Sequence, residues 1–226
     1  LKVGRMDADT TRSKNALQNL IDDFQAHKID VLVGTQMISK GLDFDDVQLV
    51  GIFDADKILY YPDFRASERT FQLILQVSGR AGRREIPGKV VIQVSNPHHP
   101  AIKQAITNDF ESFYNQELNE RQRFNYPPFV RIIRLVVKNE DRLVSEKIAK
   151  ELYLLLCTRL SKKMVLGPQE PMINRIRNKF IFELFIKVER GKALEETKRF
   201  IQLVIDRIYE KRENKSTFIS IDVDPA

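Results

Sequence analysis

Short apolar runs and helical spacings alternate along the first hundred residues. Residues 31–33 and 47–53 are β-branched runs too short for core helices, and they predict buried parallel strands. Residues 2–6 and 89–95 predict two more strands. A helix after the first strand is predicted from a cap at Thr10 or Thr11 and from apolar residues at spacings of three and four, namely Leu17, Leu20, Ile21 and Phe24. This order predicts an α/β layer domain with a mostly parallel sheet and flanking helices.

A second helix is predicted before the last of these strands. Asp63 can cap its N-terminus, and its inward face is predicted to carry Phe71, Ile74, Leu75 and Ser78. Its C-terminal end carries QVSGRAGR, in which Gln76, Gly79, Arg80 and Arg83 fit the pattern Q-x-x-G-R-x-x-R. The two arginines are three residues apart and therefore point the same way, while the glycines keep this end of the helix slim.

An arginine pair on a slim helix end suits the three oxygens of a transferring γ-phosphate. A guanidinium group donates two parallel hydrogen bonds and keeps its charge. An alternative needs no ligand, because a solvated helix terminus with a C-cap glycine also favours cations through the helix dipole. The segment by itself leaves both interpretations open.

A different periodicity begins near residue 126. Residues 101–123 predict one helix with Ile102, Ile106, Phe110 and Phe113 on its inward face. The sequence YPPF at 126–129 cannot continue it and marks a domain boundary, giving domains 1–125 and 126–226. The second domain has predicted strands at 131–138, 164–167, 180–188 and 217–223, and predicted helices at 143–160 and 194–209. The order β-α-β-β-α-β predicts a smaller α+β, ferredoxin-like domain.

Charge is distributed unevenly along the 226 residues. Residues 1–100 hold 13 Lys+Arg against 13 Asp+Glu, so the net charge of +6 lies in the remainder, with 24 against 18. This surplus favours a polyanionic partner, although solvated faces alone could account for it. The basic loop at 171–179, PMINRIRNK, carries Arg175, Arg177 and Lys179, which we predict to contact DNA phosphates.

The sequence gives little indication of a metal site, a disulfide bond or a membrane-spanning segment. The single cysteine, Cys157, excludes a disulfide framework and a thiolate metal site within this chain. Asp54 and Asp56 have no third ligand nearby, so structural capping or a family-specific contact is favoured over a metal site. No apolar run approaches 18 residues and no signal peptide is visible, which predicts a soluble protein that is not exported.

Two segments of the first domain together resemble a known motor family. Gly34 and Thr35 follow a predicted strand, where open α/β sheets place their ligands, and Gly41 and Asp43 precede the next strand. The segment GTQMISKGLDF resembles motif V of superfamily 2 helicases, and QVSGRAGR resembles their motif VI. The order of the two segments and their separation of about 40 residues also fit.

Further segments narrow this resemblance. RMDADTTRSK, FDADKILYYPDFRASERTFQLILQVSGRAGR and IDVDP resemble the PriA family (protein N′) of bacterial primosomal, replication-restart helicases. The resemblance implies a RecA-like motor lobe 2 followed by a C-terminal domain. It is strongest over the first hundred residues.

The resemblance also implies roles for individual residues. Arg83, with Arg80 beside it, would be the arginine finger, and Gln76 would face the same ATP. The nucleotide side of the cleft would include Gly41, Asp43 and Gly79. Thr35 would touch a DNA phosphate through its hydroxyl group, and Gly34 would let the backbone come close. The basic loop at 171–179 resembles part of a domain that helps to bind DNA and the single-stranded-DNA-binding protein.

Two motifs of such motors are missing from the sequence. It contains no Walker A loop and no Walker B element, and the cysteine-rich zinc segment of the family is also missing. We therefore expect this chain to be a fragment that does not hydrolyse ATP alone. ATP and Mg²⁺ would be bound jointly with motor lobe 1, and the zinc of the family would have no ligands in this chain.

The function implied is an ATP-dependent 3′→5′ DNA helicase that recognises stalled or abandoned replication forks and restarts replication by primosome assembly. Its partners would be forked and single-stranded DNA, the single-stranded-DNA-binding protein and other primosome proteins, in the cytoplasm at the bacterial nucleoid. One alternative is another superfamily 2 motor that remodels forks or acts on RNA. A second is a non-enzymatic nucleic-acid-binding module, in which the arginines only grip phosphate.

Overall fold

The computed structural model describes residues 1–7, 14–35, 47–79 and 88–225. The chain divides into two compact units, Leu1–Glu117 and Leu118–Ala226. The first unit contains β1 (Val3–Met6), α1 (Lys14–Gln25), β2 (Val31–Gly34), β3 (Leu49–Ile52), α2 (Asp56–Leu59), α3 (Ala66–Ser78), β4 (Lys89–Ile92), α4 (Pro100–Ile106) and most of α5 (Phe110–Arg123). The second contains β5 (Val130–Asn139), α6 (Arg142–Leu156), β6 (Val165–Gln169), β7 (Arg175–Ile176), β8 (Lys179–Glu189), α7 (Lys192–Tyr209), a 3₁₀ turn (Arg212–Asn214) and β9 (Phe218–Val223). Within the described ranges, none of the helices combines the length and apolar character needed to cross a membrane.

Two parallel strand pairs form the sheets of the first unit. β1 pairs with β2, with Met6 opposite Gly34, and β3 pairs with β4. The runs at 31–33 and 47–53 do form parallel strands, but the prediction that they are buried is wrong: Val33 and Leu49 are exposed. Each described sheet has only two strands, so each strand is paired on one side only.

The side chains of Leu20 and Ile29 pack closely against β1 at Gly4. A Cβ on Gly4 would lie 3.0 Å from atoms of both side chains. Glycine at this position therefore permits α1 and the loop after it to approach the strand.

The core of the first unit forms around α3. Its Phe71 and Ile74 side chains are buried, and the Phe71 ring stacks on the Phe113 ring with centroids 4.0 Å apart. Helix α4 adds the buried side chains Ala101, Ile102 and Ala105. The predicted inward face of α3 is therefore correct at its two largest residues, while Leu75 and Ser78 are half-buried.

Two helices occupy the segment that was predicted to be one helix over residues 101–123. Helix α4 ends at Ile106 and α5 begins at Phe110. Asn108, between them, has φ 52°, a left-handed conformation through which a right-handed helix cannot continue. The Asp109 carboxylate then accepts the backbone N–H three residues on, at 3.0 Å, and so caps α5. Ile106 and Phe110 are exposed, so the expected single inward face is wrong at both positions.

The predicted cap of α3 is also wrong. The helix begins at Ala66, and Arg65 occupies the cap position, but its side chain does not cap the helix. The Asp63 carboxylate instead accepts the backbone N–H of Arg65 at 2.9 Å and pairs with Arg69 at 3.0 Å. Asp63 therefore stabilises the turn before the helix. The caps predicted for α1, Thr10 and Thr11, lie outside the described residues.

The second unit is built on one antiparallel sheet with the order β6-β8-β5-β9. Along the chain its main elements run strand, helix, strand, strand, helix, strand. The two-residue strand β7, which pairs with the start of β8, was not predicted. Helix α6 was expected to reach residue 160 but ends at Leu156, with Cys157 as its C-cap.

One hydrophobic core fills the space between this sheet and helices α6 and α7. Its fully buried members include Ile133, Leu135, Val137, Leu152, Leu156, Leu184, Ile186 and Ile208. The alternating residues Phe180, Phe182, Leu184 and Ile186 of the predicted strand 180–188 predict its inward face. The last three are buried as expected, whereas Phe180 is half-buried and Ile181 is buried instead. Because residues directly opposite in antiparallel pairs share a face, the helices cover one face of the sheet through Ile133 and its partner Ile186.

Candidate functional site

The strand end at Gly34 and Thr35 is open to solvent. Gly34 is the last residue of β2, opposite Met6 of the neighbouring parallel strand. The backbone N–H of Thr35 donates to the Met6 carbonyl at 3.4 Å, which continues the pairing by one residue. Both Gly34 and Thr35 are exposed, so a ligand can reach the hydroxyl group and the backbone here. Gly41 and Asp43 lie outside the described residues.

The end of α3 presents Gln76 to solvent on the side away from Ile74. Gly79 is the C-cap, and its N–H donates to the Leu75 carbonyl at 3.0 Å. Its φ of −67° lies in the right-handed region, and a Cβ there would be 3.5 Å from the Leu75 oxygen, an ordinary contact. The end of the helix therefore does not by itself require glycine. Arg80 and Arg83 lie outside the described residues.

Asp54 and Asp56 both have structural partners. The Asp56 carboxylate accepts the backbone N–H of Ser95 at 2.8 Å and its hydroxyl group at 3.0 Å, which ties the segment after β3 to the segment after β4. Asp54 has φ 52° and pairs with Lys57 at 2.6 Å. Throughout the described ranges, no three His, Cys, Asp or Glu side chains are grouped so that they could hold a metal ion.

The three cations of the basic loop lie together on the hairpin that joins β7 to β8. Its two-residue turn, Arg177 and Asn178, has φ of 48° and 62°, the conformation that matches the twist of paired strands. The Arg175 guanidinium lies 4.8 Å from the centre of the Phe180 ring and donates to the Asn178 side chain. Arg177 and Lys179 form no ion pair with any residue in the described part of the chain. Two cations of this hairpin therefore remain available to an anion.

Glu170 holds the other end of this loop, a role that the sequence did not predict. Its carboxylate accepts the Asn174 side-chain N–H at 3.0 Å and the Arg142 Nε–H at 2.7 Å. The hydrogen bond from Asn174, with that from Arg142, lowers the pKa of Glu170 below its ordinary value. The carboxylate therefore stays ionised at neutral pH and closes the loop.

Both aspartates of the C-terminal segment IDVDP form ion pairs with arginines of β5. Arg134 contacts Asp222 at 2.8 Å and Glu183 at 3.6 Å, and Arg131 pairs with Asp224. Burial raises the pKa of Glu183, an effect that Arg134 partly opposes. Charged residues within the otherwise apolar strand at 131–138 were the signal for these contacts in the sequence, but their partners are about 90 residues away.

Lys187 is another side chain whose role the sequence did not predict. Its ammonium group lies 3.8 Å from the centre of the Tyr126 ring and donates to the Phe124 carbonyl at 2.7 Å. Burial lowers the pKa of Lys187. Both partners lie between the end of α5 and the start of β5, so this lysine fixes the connecting segment on the sheet of the second unit.

Comparisons with known proteins agree with the two-part organisation. The family described as helicase conserved C-terminal domain matches residues 1–85, and the primosomal protein N C-terminal domain matches residues 122–226. Among similar proteins, the replication restart protein PriA of Bacillus subtilis is 40% identical over 228 residues, which cover 99% of this chain and 28% of that protein. The proteins of the same name from Synechocystis and Treponema pallidum are 40% and 38% identical, over 98% and 99% of this chain and 26% and 33% of their own lengths.

The chain therefore spans about a quarter to a third of the length of these relatives. The resemblance predicted from the sequence motifs is confirmed, because the similarity extends over nearly the whole chain and includes both domain families. The chain belongs to the PriA family of replication restart proteins.

Proposed function

We propose that this chain provides motor lobe 2 and the C-terminal domain of an ATP-dependent 3′→5′ DNA helicase. In this proposal the whole protein recognises stalled or abandoned replication forks and restarts replication by primosome assembly. The observation that carries the proposal is the match of residues 1–85 to the helicase C-terminal domain, which includes the Q-x-x-G-R-x-x-R segment. The relatives named replication restart protein supply the specific pathway.

The end of α3 would face ATP. In this proposal Arg83 is the arginine finger, with Arg80 beside it and Gln76 contacting the same nucleotide. The exposure of Gln76 supports this arrangement. Gly79 is also consistent with it, because a residue without a Cβ would let a ligand approach this end of the helix closely. Gly41 and Asp43 would line the nucleotide side of the cleft.

ATP with Mg²⁺ would be bound jointly with motor lobe 1, because the sequence of this chain has no Walker A or Walker B segment. When bound, the nucleotide supplies the phosphoryl group whose hydrolysis drives the motor. The arginines of this chain would donate hydrogen bonds to its γ-phosphate oxygens, and a finger of this kind is worth about 10³–10⁵ in rate. The zinc of the family would be held outside this chain.

DNA would contact both units. Thr35 would donate to a phosphate oxygen at the exposed strand end, with Gly34 permitting close approach, and Arg175, Arg177 and Lys179 would contact phosphates from the second unit. Forked and single-stranded DNA, the single-stranded-DNA-binding protein and other primosome proteins are the proposed partners, and the proposed location is the cytoplasm.

The fold proposed alongside this function is a RecA-like lobe over residues 1–125 and a ferredoxin-like domain over residues 126–226. The two parallel strand pairs support the first part. The order β6-β8-β5-β9, with every neighbouring pair antiparallel, supports the second.

The test of this function uses the full-length Bacillus subtilis relative. Alanine at the position aligned with Arg83 should lower kcat for DNA-stimulated ATP hydrolysis by about 10³ while ATP and DNA affinities change little. Alanine at the position aligned with Arg84, outside the motif, is the matched control and should retain nearly full turnover. If DNA affinity collapses instead and turnover per bound complex stays normal, the arginine only grips phosphate and the motor assignment is wrong.

A further inference from the structure

The loop between β6 and β7 displays large apolar side chains to solvent. Met172 is 74% exposed, Ile173 is 68% exposed and Ile176 on β7 is 48% exposed. These three residues, called here the apolar tip, fall within five positions of the chain. Isolated apolar side chains on a protein surface need no explanation, but a group of them beside one another indicates a binding surface.

The loop that carries the apolar tip is held in place by its own contacts. Glu170 accepts from Asn174, and the Asn174 carbonyl accepts the backbone N–H of Ile181 at 2.9 Å. On the other strand, Arg175 lies over the ring of Phe180. Because these polar contacts hold the loop, the Met172 and Ile173 side chains are not needed to fix it and are available for binding.

The hairpin that carries the apolar tip also carries cations. Arg177 and Lys179 lie at the turn of the same hairpin, and residues 126–226 carry 21 Lys+Arg against 14 Asp+Glu. A partner that offers both negative charge and apolar surface fits this combination. Nucleic acid with unstacked bases offers both, because phosphates flank the flat faces of the bases.

The shape of the loop favours nucleic acid over an acidic peptide. Peptides with apolar anchors bind in grooves and pockets, whereas side chains exposed by two thirds or more project outwards. Projecting aliphatic side chains such as Met and Ile are the kind that DNA-bending proteins insert between base pairs. In continuous duplex, such insertion must first break base stacking. At a branch point the stacking is already interrupted, so that penalty is absent.

We propose that the apolar tip is a wedge that contacts base faces at a duplex junction, while Arg177 and Lys179 hold the flanking phosphates. The proposal rests on the function proposed above and assigns part of its fork recognition to particular side chains: the apolar side chains distinguish a fork from continuous duplex, and the cations bind both.

The experiment uses the whole 226-residue chain and two DNA probes of equal phosphate number, a model fork and a continuous duplex. Each carries 2-aminopurine at the base step that forms the junction in the fork. Met172→Ser with Ile173→Ser removes the wedge, and Leu154→Ser with Leu203→Ser, two exposed leucines on α6 and α7, is the matched control. Affinity is measured by anisotropy and unstacking by 2-aminopurine fluorescence.

We expect the wild-type chain to favour the fork and to raise its 2-aminopurine fluorescence. The tip variant should lose about tenfold in fork affinity and lose the fluorescence change, with duplex affinity and unfolding temperature unaltered. The control variant should behave as wild type. Arg177→Ala with Lys179→Ala should instead weaken fork and duplex binding equally.

Four results would overturn the wedge. Equal affinity of the wild-type chain for fork and duplex, or an unchanged fork preference in the tip variant, would remove it while leaving the proposed helicase function intact. Loss of binding to an acidic peptide in the tip variant, with fork binding retained, would assign the tip to a protein partner. Failure of the wild-type chain to bind either DNA would count against the DNA contacts of the proposed function as well.

Discussion

The strands of the two units differ in how far they bury their apolar side chains. In the second unit, the central strands β5 and β8 bury nearly every apolar residue, including Leu135 at 0% exposure. In the first unit, Leu49 of β3 is 62% exposed, and Val3, Val33 and Val91 are also exposed. The second unit joins five strands in one sheet, whereas the sheets described in the first unit have two strands each.

This difference separates the parts of the molecule that determine stability from those proposed to carry the chemistry. The second unit has a continuous core between sheet and helices, so its fold rests on its own contacts. In the first unit the core lies around α3, while Gly34, Thr35 and Gln76 lie at the exposed ends of their elements. Residues at such ends are accessible to ligands, and few packing contacts fix them in place.

A pair of matched leucines provides the strongest test of this difference. Leu135→Ala on β5 should lower the free energy of unfolding of the second unit by about 2–5 kcal/mol, because it leaves a cavity in a closed core. Leu49→Ala on β3 should cost the first unit less than about 1 kcal/mol, because that side chain is already largely in water. Urea unfolding followed by hydrogen exchange in each unit measures both. Similar losses for the two variants would show that the exposed strands of the first unit are as tightly packed as the core of the second.

Salt dependence tests whether the hairpin of the second unit is the phosphate contact. Arg177→Ala with Lys179→Ala should flatten the log–log slope of DNA affinity against salt by about 1.5, at 0.7–0.9 per phosphate released. The control is Lys162→Ala with Lys163→Ala, which removes the same charge from an exposed loop elsewhere in the unit and should leave the slope nearly unchanged. Equal flattening in both variants would mean that only net charge matters and that the hairpin holds no specific phosphate.

A smaller effect concerns two glutamates of the second unit whose pKa values shift in opposite directions. Burial raises the pKa of Glu183 in the folded protein. The folded state therefore resists ionisation of this carboxyl group, and the protein loses stability as pH rises from the ordinary glutamate pKa of about 4.3 through the raised pKa. Glu183→Gln should therefore gain stability relative to wild type as pH increases from 4 to 8. The hydrogen bond from Asn174 lowers the pKa of Glu170. The ionised carboxylate therefore stabilises the folded state above the ordinary glutamate pKa, and this stabilisation is lost as pH falls through the lowered pKa. Glu170→Gln should accordingly lose relative stability over the same rise in pH.

Thermal unfolding of the three proteins at several pH values provides the measurement, and the wild-type curve serves as the reference. A difference between Glu183→Gln and wild type that stays constant with pH would show that burial does not disfavour the charged form of Glu183. The same slope in both variants would show that neither local environment controls the titration.

Local patterns in the sequence were enough to predict the main elements of both units. Alternation along β8 predicted the burial of Phe182 and Leu184. The β-branched runs correctly predicted parallel strands in the first unit but wrongly predicted that they are buried. The break between α4 and α5 was missed because it depends on the left-handed conformation of Asn108, which helical spacing does not encode. Asp63 was misassigned because a turn residue and a cap residue have the same chemistry.

Local patterns could not predict contacts between residues that are far apart in the sequence. Arg134 meets Asp222 across 88 residues, and Arg142 meets Glu170 across 28, so neither pair leaves a periodic signal. The same limit applies to the exposure of Met172 and Ile173, since an apolar residue in a sequence carries no mark of whether it projects or packs. The motifs predicted which residue types the site needs, and the resemblance supplied their roles.

We propose that the first unit carries the catalytic arginine and that the hairpin of the second unit contributes phosphate contacts but no catalytic group. The most direct test of this division of roles measures kcat and DNA affinity in the full-length Bacillus subtilis relative, with alanine at the position aligned with Arg83 and, separately, at those aligned with Arg177 and Lys179. We predict that the first change lowers kcat by about 10³ and leaves DNA affinity nearly unaltered. The second should weaken DNA binding and leave kcat at saturating DNA nearly unaltered. The reverse pattern, or equal loss of both quantities in both variants, would contradict the division of roles between the two units.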